Sequence, residues 1–145
     1  FGWHNLSVWP EQGAERLANA PEKSMPEKLE PGNPAMLVVM HLDQALEILL
    51  SVGITKISDH ARSLSKQVSD GLKEIGFTVI SPQNYNSRSG NTCFQFSNAT
   101  KMQNQLAEQG ILCWGEYGRV RISTHLYNGS NDVKRFLGVL SELQL

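Results

Sequence analysis

The chain has 145 residues, 40% of them hydrophobic and 19% charged, with a formal net charge of -1. That length allows one domain with an ordinary core, and that composition excludes a disordered polymer. The near-neutral balance gives no basic surface for nucleic acid or acidic lipid, and no apolar run approaches the roughly 18 residues that a membrane span needs.

Residues 1–33 have no clear period. Pro10, Pro21, Pro26 and Pro31 interrupt them, and Trp3 and Trp9 are two anchors. They read as a connector, the trailing segment of a larger body. The opening on Phe1, with no charged or apolar leader, suits a processed protein or a piece of a longer polypeptide. A small domain is expected over 34–145.

Asn33 is expected to cap a helix whose first residue is Pro34, with Leu37, Val38, His41, Leu42, Ala45, Leu46, Leu49 and Leu50 at helical spacing up to Gly53. A second helix carries Ile54, Ile57, Ala61, Leu64, Val68, Leu72 and Ile75 and stops at Gly76. Phe77 to Ile80 reads as a short strand, Ser81 to Gly90 as a loop, and Asn91 to Ser97 as an alternating strand. Thr100 to Gln109 is a short helix ended by Gly110. Ile111 to Trp114 and Arg119 to Ser123 are strands joined by a hairpin loop, Gly115-Glu116-Tyr117-Gly118. Gly129 or Ser130 caps a last helix bearing Val133, Phe136, Leu137, Leu140 and Leu143. The expected fold is α+β: a small open, largely antiparallel sheet of about four strands with helices packed on one face.

In the last strand Val120 and Ile122 point one way, and Arg119, Arg121 and Ser123 the other. Two guanidinium groups in line suit a carboxylate or phosphate, and they equally suit a sheet face kept soluble by charge. Asn33-Pro34, preceded by Gly32, is a second candidate because a helix N-terminus offers free N–H groups to a phosphate; every helix has such an end. His4, His41, His60 and His125 lie at no ligand spacing and no Cys-x-x-Cys accompanies them, so no metal site is expected. His4, between Trp3 and Asn5, could line a pocket or simply pack. Cys93 and Cys113 fall in strand-like runs and read as buried free thiols of a cytoplasmic protein.

Gly118-Arg119-Val120-Arg121-Ile122-Ser123, followed by Leu126-Tyr127-Asn128 and Asp132, resembles the closing signature of the class V aminotransferases, which are fold-type I enzymes dependent on pyridoxal phosphate (PLP). Glu30-Pro31-Gly32-Asn33-Pro34 resembles that family's Glu-x-Gly-Thr turn, and Phe1-Gly2-Trp3-His4-Asn5 is similar to the segment after its cofactor-binding core. The resemblance implies the C-terminal small domain of a PLP enzyme, an aminotransferase, lyase or epimerase, that acts on an amino acid. It implies that Arg121 holds the substrate carboxylate and that Gly32-Asn33 reaches the cofactor phosphate, commonly the one held by the partner subunit of a homodimer. Asn33 stands where the family usually has Thr, and an amide can still donate to phosphate. The family's Schiff-base lysine lies upstream of these motifs, so the chain is expected to be inactive alone, with its own large domain as partner. Gly110 to Gly118 is too short for the cysteine-bearing loop of the desulfurase subgroup. The rival expectation is a stand-alone α+β module that binds a carboxylate ligand or a protein and catalyses nothing.

Overall fold

The computed structural model describes residues 23–25 and 33–143. Most of the connector expected over 1–33, with Trp3, His4, Trp9 and Gly32, lies outside the described residues. The chain divides into two compact units, Phe1–Ile48 and Leu49–Leu145.

Helix α1 (Met36–Val52) begins two residues later than the Asn33-Pro34 pair suggests. The Pro34 carbonyl accepts from Met36 N–H at 2.9 Å, closing a three-residue turn, and the first α-helical bond runs from Val39 N–H to the Ala35 carbonyl. Asn33 is therefore not the cap. None of the residues of α1 is buried.

Helix α2 (Ile54–Glu74) is amphipathic as its spacing predicts. Ile57, Ala61, Leu64, Val68 and Leu72 lie on one buried face, joined there by Ser65 and Ser69. Its end is a Schellman motif: Phe77 N–H donates to the Leu72 carbonyl and Gly76 N–H to that of Lys73. The motif requires a left-handed residue, and Gly76 supplies it at φ 91°. The chain then turns back along the sheet.

The sheet has three strands, β1 (Asn91–Gln95), β2 (Trp114–Glu116) and β3 (Arg119–Ser123), in the order β1-β3-β2 and antiparallel throughout. The strand expected at Phe77–Ile80 amounts to one bridge, Val79 to Phe94, flanked by hydrogen bonds from Ile80 N–H to Cys93 and from Gln95 N–H to Thr78. It departs at Ser81, whose hydroxyl takes the Cys93 N–H at 2.8 Å and so occupies the next donor of the ladder. The loop that follows is held by Arg88, 8% exposed, which donates to the Gln83 carbonyl.

Helix α3 (Ala99–Glu108) crosses behind β2, ends in a second Schellman motif at Gly110, and lies so close that Gly115 has no room for a Cβ. Helix α4 (Ser130–Leu143) settles the choice left open for its cap. Gly129 is the cap, because its carbonyl accepts from Val133 while Asp132 at the third helical position reaches back to Gly129 N–H at 2.8 Å.

All three of α2, α3 and α4 pack on the same side of the sheet, the α+β arrangement expected. Leu72, Phe94, Leu106, Val120 and Leu140 are fully buried between the layers. Phe77 closes the core with its ring edge-on to Phe94 at 4.8 Å. Each large apolar side chain so buried contributes roughly 1.5–3 kcal/mol before chain entropy is subtracted.

Candidate functional site

Alternation along three short strands sorts the sheet into two faces. Thr92, Phe94, Gly115, Val120 and Ile122 face the helices. Asn91, Cys93, Gln95, Trp114, Glu116, Arg119, Arg121 and Ser123 face away. The face that α2, α3 and α4 leave uncovered is ordered in rows across the strands, and the central row is Cys93–Arg121–Trp114. Arg121 is thus on the middle strand, exposed, where the alternation places it.

The guanidinium carbon of Arg121 stands 5.5 Å from the centre of the Trp114 ring, a cation–π contact. Trp114 in turn meets Tyr117 with ring centres 6.4 Å apart. Among the described residues no carboxylate lies within ion-pair distance of Arg121, and its side chain makes no hydrogen bond. Its planar fork of N–H donors is free for a carboxylate or phosphate. In the next row, Ser123 donates to Asn91 Oδ1 at 2.6 Å, so that hydroxyl is already engaged. Arg119 is exposed beside the turn and opposite Glu116.

The hairpin differs from the expected one, with a consequence for the site. Gly115 and Glu116 belong to β2, leaving a two-residue turn, Tyr117-Gly118, with φ of 50° and 72°. Two left-handed residues make the turn that matches the twist of paired strands. A four-residue loop over Gly115–Gly118 would set Trp114 opposite Arg119, whereas the two-residue turn sets it opposite Arg121. Trp114 is the site residue that sequence reasoning missed. Counting back from a Tyr-Gly turn would have found it, but a bulky aromatic at positive φ is uncommon enough to hide the turn.

Both cysteines are free, and half-buried rather than buried. Cys93 flanks Arg121 on β1. Cys113 stands just ahead of β2, not inside a strand, because the pairing with β3 begins at Trp114. Burial pushes its thiol above the ordinary value, away from the thiolate.

The other candidates take structural roles or belong to the other compact unit. Asn33 is exposed, three residues ahead of α1, in the unit that does not contain Arg121; Gly32 lies outside the described residues. The Tyr127-Asn128 pair after β3 forms a turn in which Asn128 Oδ1 accepts from His125 N–H at 2.9 Å. His60, on α2, donates from Nε2 to the Asn128 carbonyl at 2.8 Å, which fixes its ring tautomer. A cavity of about 370 Å³ lies behind the end of β3, lined by Ile111, Ile122, Tyr127, Asp132 and Phe136 among others. Ser123 and Thr124 also line it, and Arg121 does not.

A family model described as aminotransferase class-V matches residues 14–136. The chain is 29% identical over 133 residues to a protein named probable cysteine desulfurase from Pyrococcus abyssi, covering 81% of this chain and 33% of that protein. It is 23% identical over 110 residues to an uncharacterized aminotransferase of Schizosaccharomyces pombe, covering 76% of this chain and 28% of the other. Among solved structures, the cysteine desulfurase of Thermococcus onnurineus NA1 shares the fold with a TM-score of 0.84 at 23% identity, covering 99% of this chain and 38% of its own. The Escherichia coli cysteine desulfurase CsdA gives 0.81 at 25% identity, with coverages of 98% and 37%. The chain spans about a third of the length of the curated relatives it matches.

Proposed function

Because this chain belongs to the aminotransferase class-V family, we propose that it is the C-terminal small domain of a PLP-dependent enzyme acting on an amino acid, with Arg121 holding the substrate carboxylate. The observation that carries this reading is the state of Arg121 itself. It is exposed at the centre of the uncovered sheet face, with a guanidinium that no acidic side chain of the described residues neutralises. A planar fork left free in that way matches the two oxygens of a carboxylate. The remaining partners of the reading are the enzyme's own large domain and a second copy in a cytoplasmic homodimer.

The family relation implies PLP as the cofactor of the intact enzyme, where it would serve as an electron sink. Gly32-Asn33 is the turn that would reach its phosphate, commonly the one held by a second subunit; Asn33 is exposed, and its amide can donate to phosphate. The family's Schiff-base lysine lies upstream of the motifs present, so we read this chain as inactive alone. Its part is to recognise the substrate.

Among reactions, transamination, epimerisation and elimination fit better than desulfuration. A two-residue turn joins β2 to β3 and carries no cysteine, and the thiol of Cys113 is half-buried and held protonated. The test is Arg121→Ala in the intact enzyme. Losing a charge-assisted hydrogen-bond pair worth about 1.5–3 kcal/mol should raise KM for amino acid substrates roughly tenfold or more. An unchanged KM would remove the carboxylate role from Arg121.

A further inference from the structure

We propose that Trp114 is a positioning residue for Arg121: its ring face holds the guanidinium in place while leaving the N–H donors free for the substrate carboxylate. The proposal rests on the carboxylate reading of Arg121 and adds a cause for its readiness. An arginine on an open sheet face has about 2 kcal/mol of rotamer freedom to lose before it can hold anything in a fixed geometry. The common way to immobilise it, an acidic neighbour, would also satisfy the donors and compete with the ligand. Among the described residues Arg121 has no such neighbour.

It has Trp114 instead, directly opposite on β2 and on the same face, with 5.5 Å between the guanidinium carbon and the ring centre. An aromatic face attracts the cation through its quadrupole and occupies no N–H. The indole is itself restrained. Tyr117 lies against it at 6.4 Å, and the residue next to Trp114, Gly115, is clamped under α3 by the bond from its N–H to Gln103 Oε1 at 2.8 Å. The backbone that carries the ring thus cannot drift from the guanidinium. Arg119, by contrast, stands opposite Glu116, and among the described residues no cation–π contact holds its guanidinium. Of the two arginines on this strand, only Arg121 has its guanidinium set over an aromatic ring among the described residues.

The test uses the 145-residue chain with ¹⁵N-labelled arginine, Trp114→Leu and Trp114→Phe variants, and propionate as the carboxylate probe against equal sodium chloride. In the wild type the Arg121 side-chain N–H signals, assigned by their loss in Arg121→Lys, should be displaced upfield by the indole and should move further on addition of propionate. In Trp114→Leu the displacement should vanish and propionate should bind about two- to five-fold more weakly, the fold-change of one exposed cation–π contact. Trp114→Phe should recover part of both, a rescue that a merely structural tryptophan would not show. An Arg121 signal that keeps its position in Trp114→Leu overturns the proposal. So does equal propionate affinity in wild type and both variants, which leaves the carboxylate reading intact. If propionate moves the Arg121 signals of none of the proteins, the carboxylate reading falls and takes this proposal with it.

Discussion

Replacing Gly115 by alanine probes the closest approach between a helix and the sheet. A Cβ built on Gly115 would lie 2.4 Å from the Ala99 carbonyl oxygen and 2.9 Å from Gln103 Cβ. Ordinary contact begins at 3.4 Å, so the start of α3 must retreat by about 1 Å. A side chain could swing aside; a helical carbonyl cannot. Overpacking of this kind costs about 1–3 kcal/mol. The retreat also stretches two bonds that fasten α3 to β2, from Thr100 Oγ1 to the Gly115 carbonyl at 3.2 Å and from Gly115 N–H to Gln103 Oε1 at 2.8 Å. Each is worth about 0.5–1.5 kcal/mol, and the stiffer unfolded chain returns only about 0.4–1 kcal/mol. The net expectation is a loss of about 2–4 kcal/mol, read as a fall of the urea midpoint by roughly 1–2 M at unchanged slope. Gly71→Ala is the matched control. There the obstacle is Leu137 Cδ1 at 2.2 Å, the end of a side chain that can rotate, and alanine improves helix propensity by about 1 kcal/mol. If Gly115→Ala proved no less stable than Gly71→Ala, the seating of α3 on the β2 backbone would be wrong.

Two further outcomes concern polar groups withdrawn wholly or partly from solvent. Ser65 Oγ and Thr92 Oγ1 lie 2.9 Å apart, each 1% exposed, and Thr92 also donates to the Ser65 carbonyl, so Ser65 must donate to Thr92. Thr92→Val should cost about 1–3 kcal/mol by stranding the Ser65 hydroxyl, while Ser65→Ala with Thr92→Val should be nearly neutral; a double-mutant cycle that is simply additive would contradict the pairing. Burial raises the Cys113 thiol above its ordinary 9.0, so the folded chain holds that proton more tightly than the unfolded one. Its contribution to stability is complete below pH 9.0 and is lost as pH rises through the folded value. The urea midpoint of the wild type should therefore fall more steeply with alkaline pH than that of Cys113→Ala, and parallel curves would refute the burial.

Most of the scaffold was legible because burial imposes a period. The stripe from Ile57 to Leu72 specified α2, and alternation placed Arg121 on the uncovered face. Gly76 and Gly110 marked helix ends because left-handed backbone there favours glycine. What escaped was fixed by competing local bonds. Pro34 and Met36 close a turn that delays α1, and Ser81 takes the N–H that would have extended the Phe77–Ile80 pairing. Period cannot report either event. The candidate site was half legible: the place of Arg121 on the sheet by alternation and its proposed role by family resemblance alone, Trp114 not at all, because its partner depends on whether the hairpin is counted from Glu116 or from Trp114.

That count gives the Tyr117-Gly118 turn a significance beyond local geometry. If one extra residue were taken up by the ladder, every β3 side chain would change sides, sending Arg121 into the core and Val120 to water. Taking up two would restore the sides but hand Arg121 a different neighbour on β2. The short turn works as an index mark: it keeps one guanidinium in phase with one indole. Length changes at this tip are therefore expected to act like a reading-frame error in space, disturbing recognition even where the sheet still forms.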